Sequence, residues 1–135
     1  MNDTGGTNFS LARYNTDGSL DNGFAGDGTV ITAVGANSSA AAFAVVVQGD
    51  GKILAAGVAS NGKNGDFAMV RYRANGSPDN SFGLGGGVIA PVGSGEDMAF
   101  AIAIQPTPDN KIIMAGRSMN ATTGFYDFAL VRYWP

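Results

Sequence analysis

The chain has 135 residues, with no cysteine, no histidine and a formal net charge of −3. This length suits one domain with a single core, and the missing residue types exclude disulfides, thiolate chemistry and imidazole as general base or metal ligand. Only 14% of the residues are charged and no basic stripe is present, which argues against a nucleic-acid surface. No apolar run reaches the roughly 18 residues of a membrane span, so we expect no membrane insertion.

The chain carries an internal repeat. The segment FAMVRYRANGSPDNSFG at residues 67–83 recurs as FSLARYNTDGSLDNGFAG at residues 9–26, and its first half recurs as FALVRY at residues 128–133. The first residues of the three copies are Phe9, Phe67 and Phe128, so that the offsets are 58 and 61 residues. A period in this range is typical of propellers, solenoids and repeat arrays.

The segments between these copies also match and predict four strands in each repeat, which we label a, b, c and d. Strands a and b are joined by turns at residues 49–51 and 108–110, where Gly, Asp, Asn and Pro favour a hairpin. Pro91 has no amide hydrogen to donate, which places strand d at an edge of the sheet. In chain order the predicted strands are c (9–14), d (29–34), a (42–48), b (52–59), c (67–72), d (87–92), a (99–105), b (111–118) and c (128–133).

Strands a and c are apolar on both faces, so each predicted sheet lies between two others. Alternation in the second copy of strand c places Phe67 and Met69 on one face and Ala68 and Val70 on the other. Sheets of four strands stacked in this way are the blades of a propeller. No stretch shows the spacing of an amphipathic helix. The sequence therefore predicts an all-β fold of two four-stranded antiparallel repeats, each of about 60 residues, as β-propeller blades.

We expect a single repeat domain with a leading c–d pair in residues 1–41, one complete blade in residues 42–98 and a three-stranded blade in residues 99–135. Closed propellers have about four to eight blades, so two blades leave edges and faces open. Either the sequence is an excerpt of a longer array, or copies close a ring. We favour the ring, with a homotrimer giving six blades. The leading d strand would complete the last blade, in its own chain or in a neighbour's.

The repeated motifs resemble the delta-60 repeat. The resemblance lies in FALVRY, in GSLDNGF and GSPDNSF, and in AFAxxxQ followed by GKIxxAG, and it covers nearly the whole chain from Phe9. That repeat occurs in tandem in bacterial proteins, often surface or exported ones, and implies propeller-like blades without an assigned activity. Residues 1–10 lack the basic and apolar regions of a signal peptide. The last copy departs from the pattern, because Trp134 and Pro135 follow Tyr133.

An arginine recurs in every copy of strand c, and an aspartate follows it in two of them. A buried guanidinium needs a carboxylate or several carbonyls as partners. We therefore predict a structural clamp within each blade, formed by Arg13, Arg71 and Arg132 with Asp21 and Asp79. The alternative function for these residues is anion binding, but a residue repeated in every blade usually serves the blade itself.

Motifs for metal, phosphate and catalytic chemistry are incomplete. Residues 15–21 alternate oxygen ligands as calcium loops do, but the second copy replaces the first ligand with Arg73. A type I turn explains both copies, so we expect no metal and no cofactor. The Gly-rich runs precede strands, whereas phosphate loops open helices. Glu96 and Asp97 are adjacent in sequence, and such neighbours rarely converge on one bond, so we expect no enzyme.

The d–a and b–c loops share one end of a blade stack, and they are polar and differ between the repeats. Variable loops on a rigid scaffold tend to carry recognition. For Trp134 we expect core or interface packing at a chain end, and the alternative is stacking against a sugar ring. We expect a non-catalytic binding or structural module with a glycan or protein ligand, or, as the alternative, a lectin built from two-blade subunits. The candidate ligand-binding residues are Asn37, Asn61, Lys63, Glu96, Asp97, Asn120, Tyr126 and Trp134.

Overall fold

A computed structural model describes residues 6–35, 39–106 and 108–135. The regular structure in these ranges consists of strands alone, and they contain no helix that could cross a membrane. The strands are β1 (Phe9–Ala12), β2 (Thr29–Thr32), β3 (Ala40–Val47), β4 (Ile53–Ser60), β5 (Gly65–Tyr72), β6 (Gly87–Ala90), β7 (Asp97–Ile104), β8 (Ile112–Met119) and β9 (Tyr126–Tyr133).

The strands form three antiparallel sheets. We call β1–β2 the leading pair, β3–β4–β5–β6 blade 1 and β7–β8–β9 blade 2. This confirms the predicted all-β fold and the predicted strand order. Strands β3 and β7 begin at Ala40 and Asp97, two residues earlier than predicted, because these residues pair with Ala59 and Ser118 on the neighbouring b strands. The two outer strands, β2 and β6, have only four residues each.

A β-bulge interrupts the inner strand of each blade. The register shifts between Ala42 and Ala44 in β3, and the equivalent shift in β7 places Phe100 at the bulge, 5.6 Å from the ring of Phe43. The opposite strand approaches so closely there that a Cβ at Gly57 would lie 1.9 Å from the carbonyl oxygen of Ala41. The repeated Ala-Gly of strand b is therefore a steric requirement of the bulge.

Strand β5 in the middle of blade 1 is buried on both faces. On β5, Ala68 and Val70 pack toward the leading pair, whereas Phe67 and Met69 pack toward blade 2. The fully buried Tyr72 donates a hydrogen bond from its hydroxyl to Thr32 Oγ1 of the leading pair, over 2.8 Å. The core thus consists of two apolar layers, one on each side of blade 1, as expected for stacked blades.

The leading pair and β9 lie on opposite sides of blade 1. Strand β2 pairs with β1 in the register Phe9 to Thr32, and Phe9 joins the apolar layer on that side. Ala129 of β9 joins the other layer. Within one chain β2 therefore does not complete blade 2, and completion by a neighbouring chain stays a prediction.

Candidate functional site

The second copy of the predicted clamp is a buried ion pair. Arg71 Nε donates to Asp79 Oδ2 over 2.9 Å, and the guanidinium lies 4.4 Å from the ring centroid of Phe82. The hydroxyl of Ser81 donates to Asp79 Oδ1 over 2.7 Å. Hydrogen bonds from the Ser81 hydroxyl and amide, together with the Arg71 charge, lower the pKa of Asp79. The clamp fixes the segment between strands c and d onto strand c.

The first copy repeats this geometry with greater exposure, and the third lacks it. Arg13 Nε donates to Asp21 Oδ2 over 2.8 Å, and its guanidinium lies 4.8 Å from the centroid of Phe24. Among the described residues, Arg132 has no carboxylate within ion-pair distance. In these two copies strand c receives its carboxylate from the c–d segment of its own blade, and blade 2 has no such segment within the described residues. A clamp at Arg132 therefore stays a prediction.

The side chains of Asn61 and Asn120 organise their own loops. Asn61 Nδ2 donates to Asn64 Oδ1 and to Asp66 Oδ2, each over 2.7 Å, and its Oδ1 accepts from the amide of Lys63 over 2.8 Å. Asn120 Oδ1 accepts from the amide of Thr122 over 2.9 Å. These two candidate ligand-binding residues thus already have hydrogen-bond partners inside the protein.

Three carboxyl groups lie where blade 1 meets blade 2. Asp97 is fully buried, and its Oδ2 accepts from the amides of Val92 and Gly93 over 2.7 and 2.9 Å, so it anchors the d–a loop. Burial raises the pKa of Asp66 above its ordinary 3.8, the charges of Asp97 and Glu96 raise it further, and the Asn61 hydrogen bond opposes them. In the part of the chain that the structure describes, these carboxyl groups are not arranged to hold a metal ion, and neither is any other cluster of three or more acidic side chains.

Of these carboxyl groups, Glu96 lines a groove of about 270 Å³. The groove lies between the start of blade 1, the b–c loop of blade 1 and the start of blade 2. Lys63 is exposed on its border and Glu96 is half-buried in its wall. The side chain of Asn64 donates to the carbonyl oxygen of Gly95, which holds the two loops together. The groove therefore offers one cation and one anion on a fixed frame.

Arg117 belongs to this end of blade 2, although it is not among the residues predicted from the sequence. Its guanidinium lies 4.0 Å from the ring centroid of Tyr126 and 5.5 Å from that of Phe100. Its Nε is buried without a hydrogen-bond partner in the described residues. The sequence feature that could have indicated Arg117 is a difference between the repeats, because blade 1 has the apolar Val58 at the equivalent position.

The remaining candidates do not share one place. Trp134 lies at the opposite end of blade 2, because the β8–β9 ladder begins with Ile112 opposite Tyr133 and ends with Met119 opposite Tyr126. Its indole is 70% exposed, and Lys111 Nζ lies 4.1 Å from the ring centroid. Asn37 lies outside the described residues. The structure thus brings Asn61, Lys63 and Glu96 to adjoining loops beside Asp97 at the start of β7. It places Asn120 on the b–c loop of blade 2 and Tyr126 at the start of β9, and it separates Trp134 from all of them.

Stacked antiparallel sheets with an a–b–c–d strand order define the molecule as a β-propeller protein. The family described as "domain of unknown function (DUF5122) beta-propeller" matches residues 2–24, 48–82 and 107–135, which is more than half of the sequence. The chain belongs to this family. A comparison with curated proteins finds no match.

Proposed function

We propose that the chain is a non-catalytic binding and structural propeller module, built from repeats of the delta-60 type, that acts at the surface of a bacterial cell or outside it. The observation that carries this proposal is the groove between the two blades, where Lys63 and Glu96 border a concave surface on rigid strands. Charged side chains on loops held by a sheet scaffold are a common arrangement for recognition.

The groove suits a peptide segment of a protein partner. Lys63 makes no ion pair within the described residues, so its ammonium group is available to a ligand carboxylate or carbonyl. Glu96 can accept from a ligand amine or amide. A ligand that presents donors and acceptors alternately along its backbone satisfies both.

A lectin is the second candidate function, and the exposed indole of Trp134 is the observation in its favour. Sugar rings stack on such faces. Because Trp134 lies at the end opposite Lys63 and Glu96, the two functions require different residues. A loss of binding can therefore be assigned to one of them.

Binding to immobilised peptide and glycan arrays tests both candidates. We expect peptide binding that is lost in the Lys63→Ala/Glu96→Ala variant and retained in Asp50→Ala/Lys52→Ala, which removes a comparable charge pair from an a–b turn. Glycan binding that is lost in Trp134→Ala establishes the lectin instead. Two blank arrays from a folded protein contradict both.

The structural part of this proposal is self-association into a closed ring, with a trimer of two-blade subunits favoured. The support is an apolar outer face on blade 2, where Phe128 and Leu130 are exposed. Sheets of this kind are stable when another sheet covers them. Light scattering on the purified chain gives the mass that tests the ring.

A further inference from the structure

Strand c occurs three times, and another sheet covers it in only two of the copies. Phe67 is 0% exposed beneath blade 2, whereas the equivalent Phe128 is 77% exposed. Met69 and its equivalent Leu130 show the same contrast, at 0% and 53%. The chain itself thus shows what fits this surface, namely the a and b strands of another propeller sheet.

Within the described residues no strand pairs with the outer edge of β9, and this edge corresponds position by position to the edge of β1 that pairs with β2. In blade 1, Phe67 lies opposite Ala90 and Ala68 opposite Ile89. In the leading pair, the equivalent positions are Phe9 opposite Thr32 and Ser10 opposite Ile31. The repeat therefore puts Phe128 opposite Thr32, and Ala129 opposite Ile31, if β2 pairs with β9. Strand β2 can therefore pair with β1 or with β9 in the same register.

The leading pair has no a and b strands within the described residues, and a groove lies between it and strands β3 and β4 of blade 1. The groove has a volume of about 440 Å³, and Val45 and Val47 on its wall are 61% and 62% exposed. The equivalent residues of blade 2, Ile102 and Ile104, are partly buried against blade 1. The inner strands of a further blade would cover Val45 and Val47 in the same way.

The clamp residues point to the same arrangement. Within the described residues Arg132 lacks a carboxylate partner, and in the other copies this partner comes from the segment between strands c and d, together with an aromatic ring. Asp21 and Phe24 form one such segment, and they hold Arg13, the equivalent of Arg132 in β1. A strand c that replaced β1 would meet both groups.

From these observations we infer that copies of the chain join head to tail by strand exchange: β2 of one copy leaves its own β1, pairs with β9 of the neighbour and completes blade 2. The inference rests on the self-association in the proposed function and specifies its interface. Phe128, Leu130 and Arg132 replace Phe9, Leu11 and Arg13. Strand β9 thus offers β2 the same kinds of side chain as β1 does. In the joined copies, the inner strands of the neighbour's blade 2 cover Val45 and Val47, and β2 covers the edge of β9. Because β2 and β9 lie on opposite sides of blade 1, the exchange requires a second copy.

Cysteine pairs test the exchange in a chain that has no cysteine of its own. In the Ile31→Cys/Ala129→Cys variant we expect a disulfide between chains, identified by peptide mass spectrometry. We also expect light scattering to give the mass of two or more subunits. The matched variant is Ser10→Cys/Ile31→Cys, which locks β2 onto β1 when oxidised. We expect this variant to be monomeric when oxidised and to associate when reduced.

Three results overturn the inference. One is a wild-type chain that stays monomeric at high concentration. Another is association that the oxidised Ser10→Cys/Ile31→Cys lock does not reduce. The third is a disulfide in Ser10→Cys/Ala129→Cys between chains, which would place the intact leading pair beside β9. Far-UV circular dichroism of each variant establishes that it is folded. None of these results bears on the array binding, so failure here leaves the proposed recognition function standing.

Discussion

The guanidinium of Arg71 lies 2.9 Å from the carboxylate of Asp79, and both side chains are buried. The equivalent pair of Arg13 and Asp21 has nearly the same separation, 2.8 Å, but about a third of each side chain is exposed. The same chemistry thus occurs in two environments within one chain. This permits a comparison in which geometry is constant and burial varies.

We expect Asp79→Asn to lower the free energy of unfolding far more than Asp21→Asn. Removing the carboxylate beside Arg71 leaves a buried guanidinium without its counter-ion. An exposed pair contributes about 1 kcal/mol or less, so Asp21→Asn should be close to neutral. Urea unfolding of the two variants measures the difference. Equal losses would show that burial does not control the energy of the clamp.

Gly57→Ala should destabilise the protein by about 1–3 kcal/mol, the usual range for overpacking. The added Cβ would lie 1.9 Å from the Ala41 carbonyl oxygen, so the β3 bulge must shift. Gly49→Ala is the control, because a Cβ at that position meets nothing within 4 Å. Thermal unfolding of both variants checks the prediction. A neutral Gly57→Ala would mean that the bulge is not as close to β4 as the structure shows.

Asp66→Asn should stabilise the protein at neutral pH and have little effect below about pH 4. The raised pKa of Asp66 means that the folded state favours the protonated carboxyl. The stability from that preference is present below the unfolded pKa and is lost as pH rises through the folded pKa. Because asparagine stays neutral, the difference in stability between the variant and the wild type grows as pH rises from the unfolded pKa to the folded pKa of Asp66. Melting temperatures of the wild type and the variant, measured against pH, check the prediction, and Asp127→Asn at the exposed equivalent position is the control for the change of side chain.

Asn61→Ala should destabilise the b–c loop of blade 1, and Lys63→Ala should not. The alanine variant loses hydrogen bonds to Asn64, Asp66 and the Lys63 amide, at a cost of about 1–2 kcal/mol. Lys63 makes no side-chain hydrogen bond within the described residues, so its removal should affect ligand binding alone. Amide hydrogen exchange across residues 60–66 separates the two outcomes. Faster exchange in both variants would contradict the assignment.

The internal repeat made most of the fold predictable, because three copies of one pattern show which segments are strands and in what order. The bulges were not predictable. Residues 42–47 are all apolar, as in any strand that is covered on both faces, and nothing local shows that Phe43 is an extra residue opposite β4. The early start of β7 was missed as well, since Asp97 has a low strand propensity and its place depends on Ser118 across the ladder.

The candidate site was predictable in position but not in detail. Loop composition indicated where polar side chains collect, but it does not show which of them hydrogen-bond each other. The hydrogen bonds by which Asn61 organises its own loop were therefore not predicted, and its role in ligand binding stays a prediction. Asp66 was missed because its raised pKa arises from burial between two blades, which only the tertiary structure reveals. Arg117 was missed because it stands at a position where the two repeats differ.

The four-residue strands β2 and β6 also matter for how the protein behaves in solution. A short outer strand offers few unpaired backbone groups, which limits sheet-to-sheet aggregation. Strand β9 has eight residues, an apolar outer face and no outer strand beside it in the described chain. A chain held as a monomer, as expected for the oxidised Ser10→Cys/Ile31→Cys variant, should therefore precipitate through β9 first, and adding the charged substitution Leu130→Lys should keep it in solution.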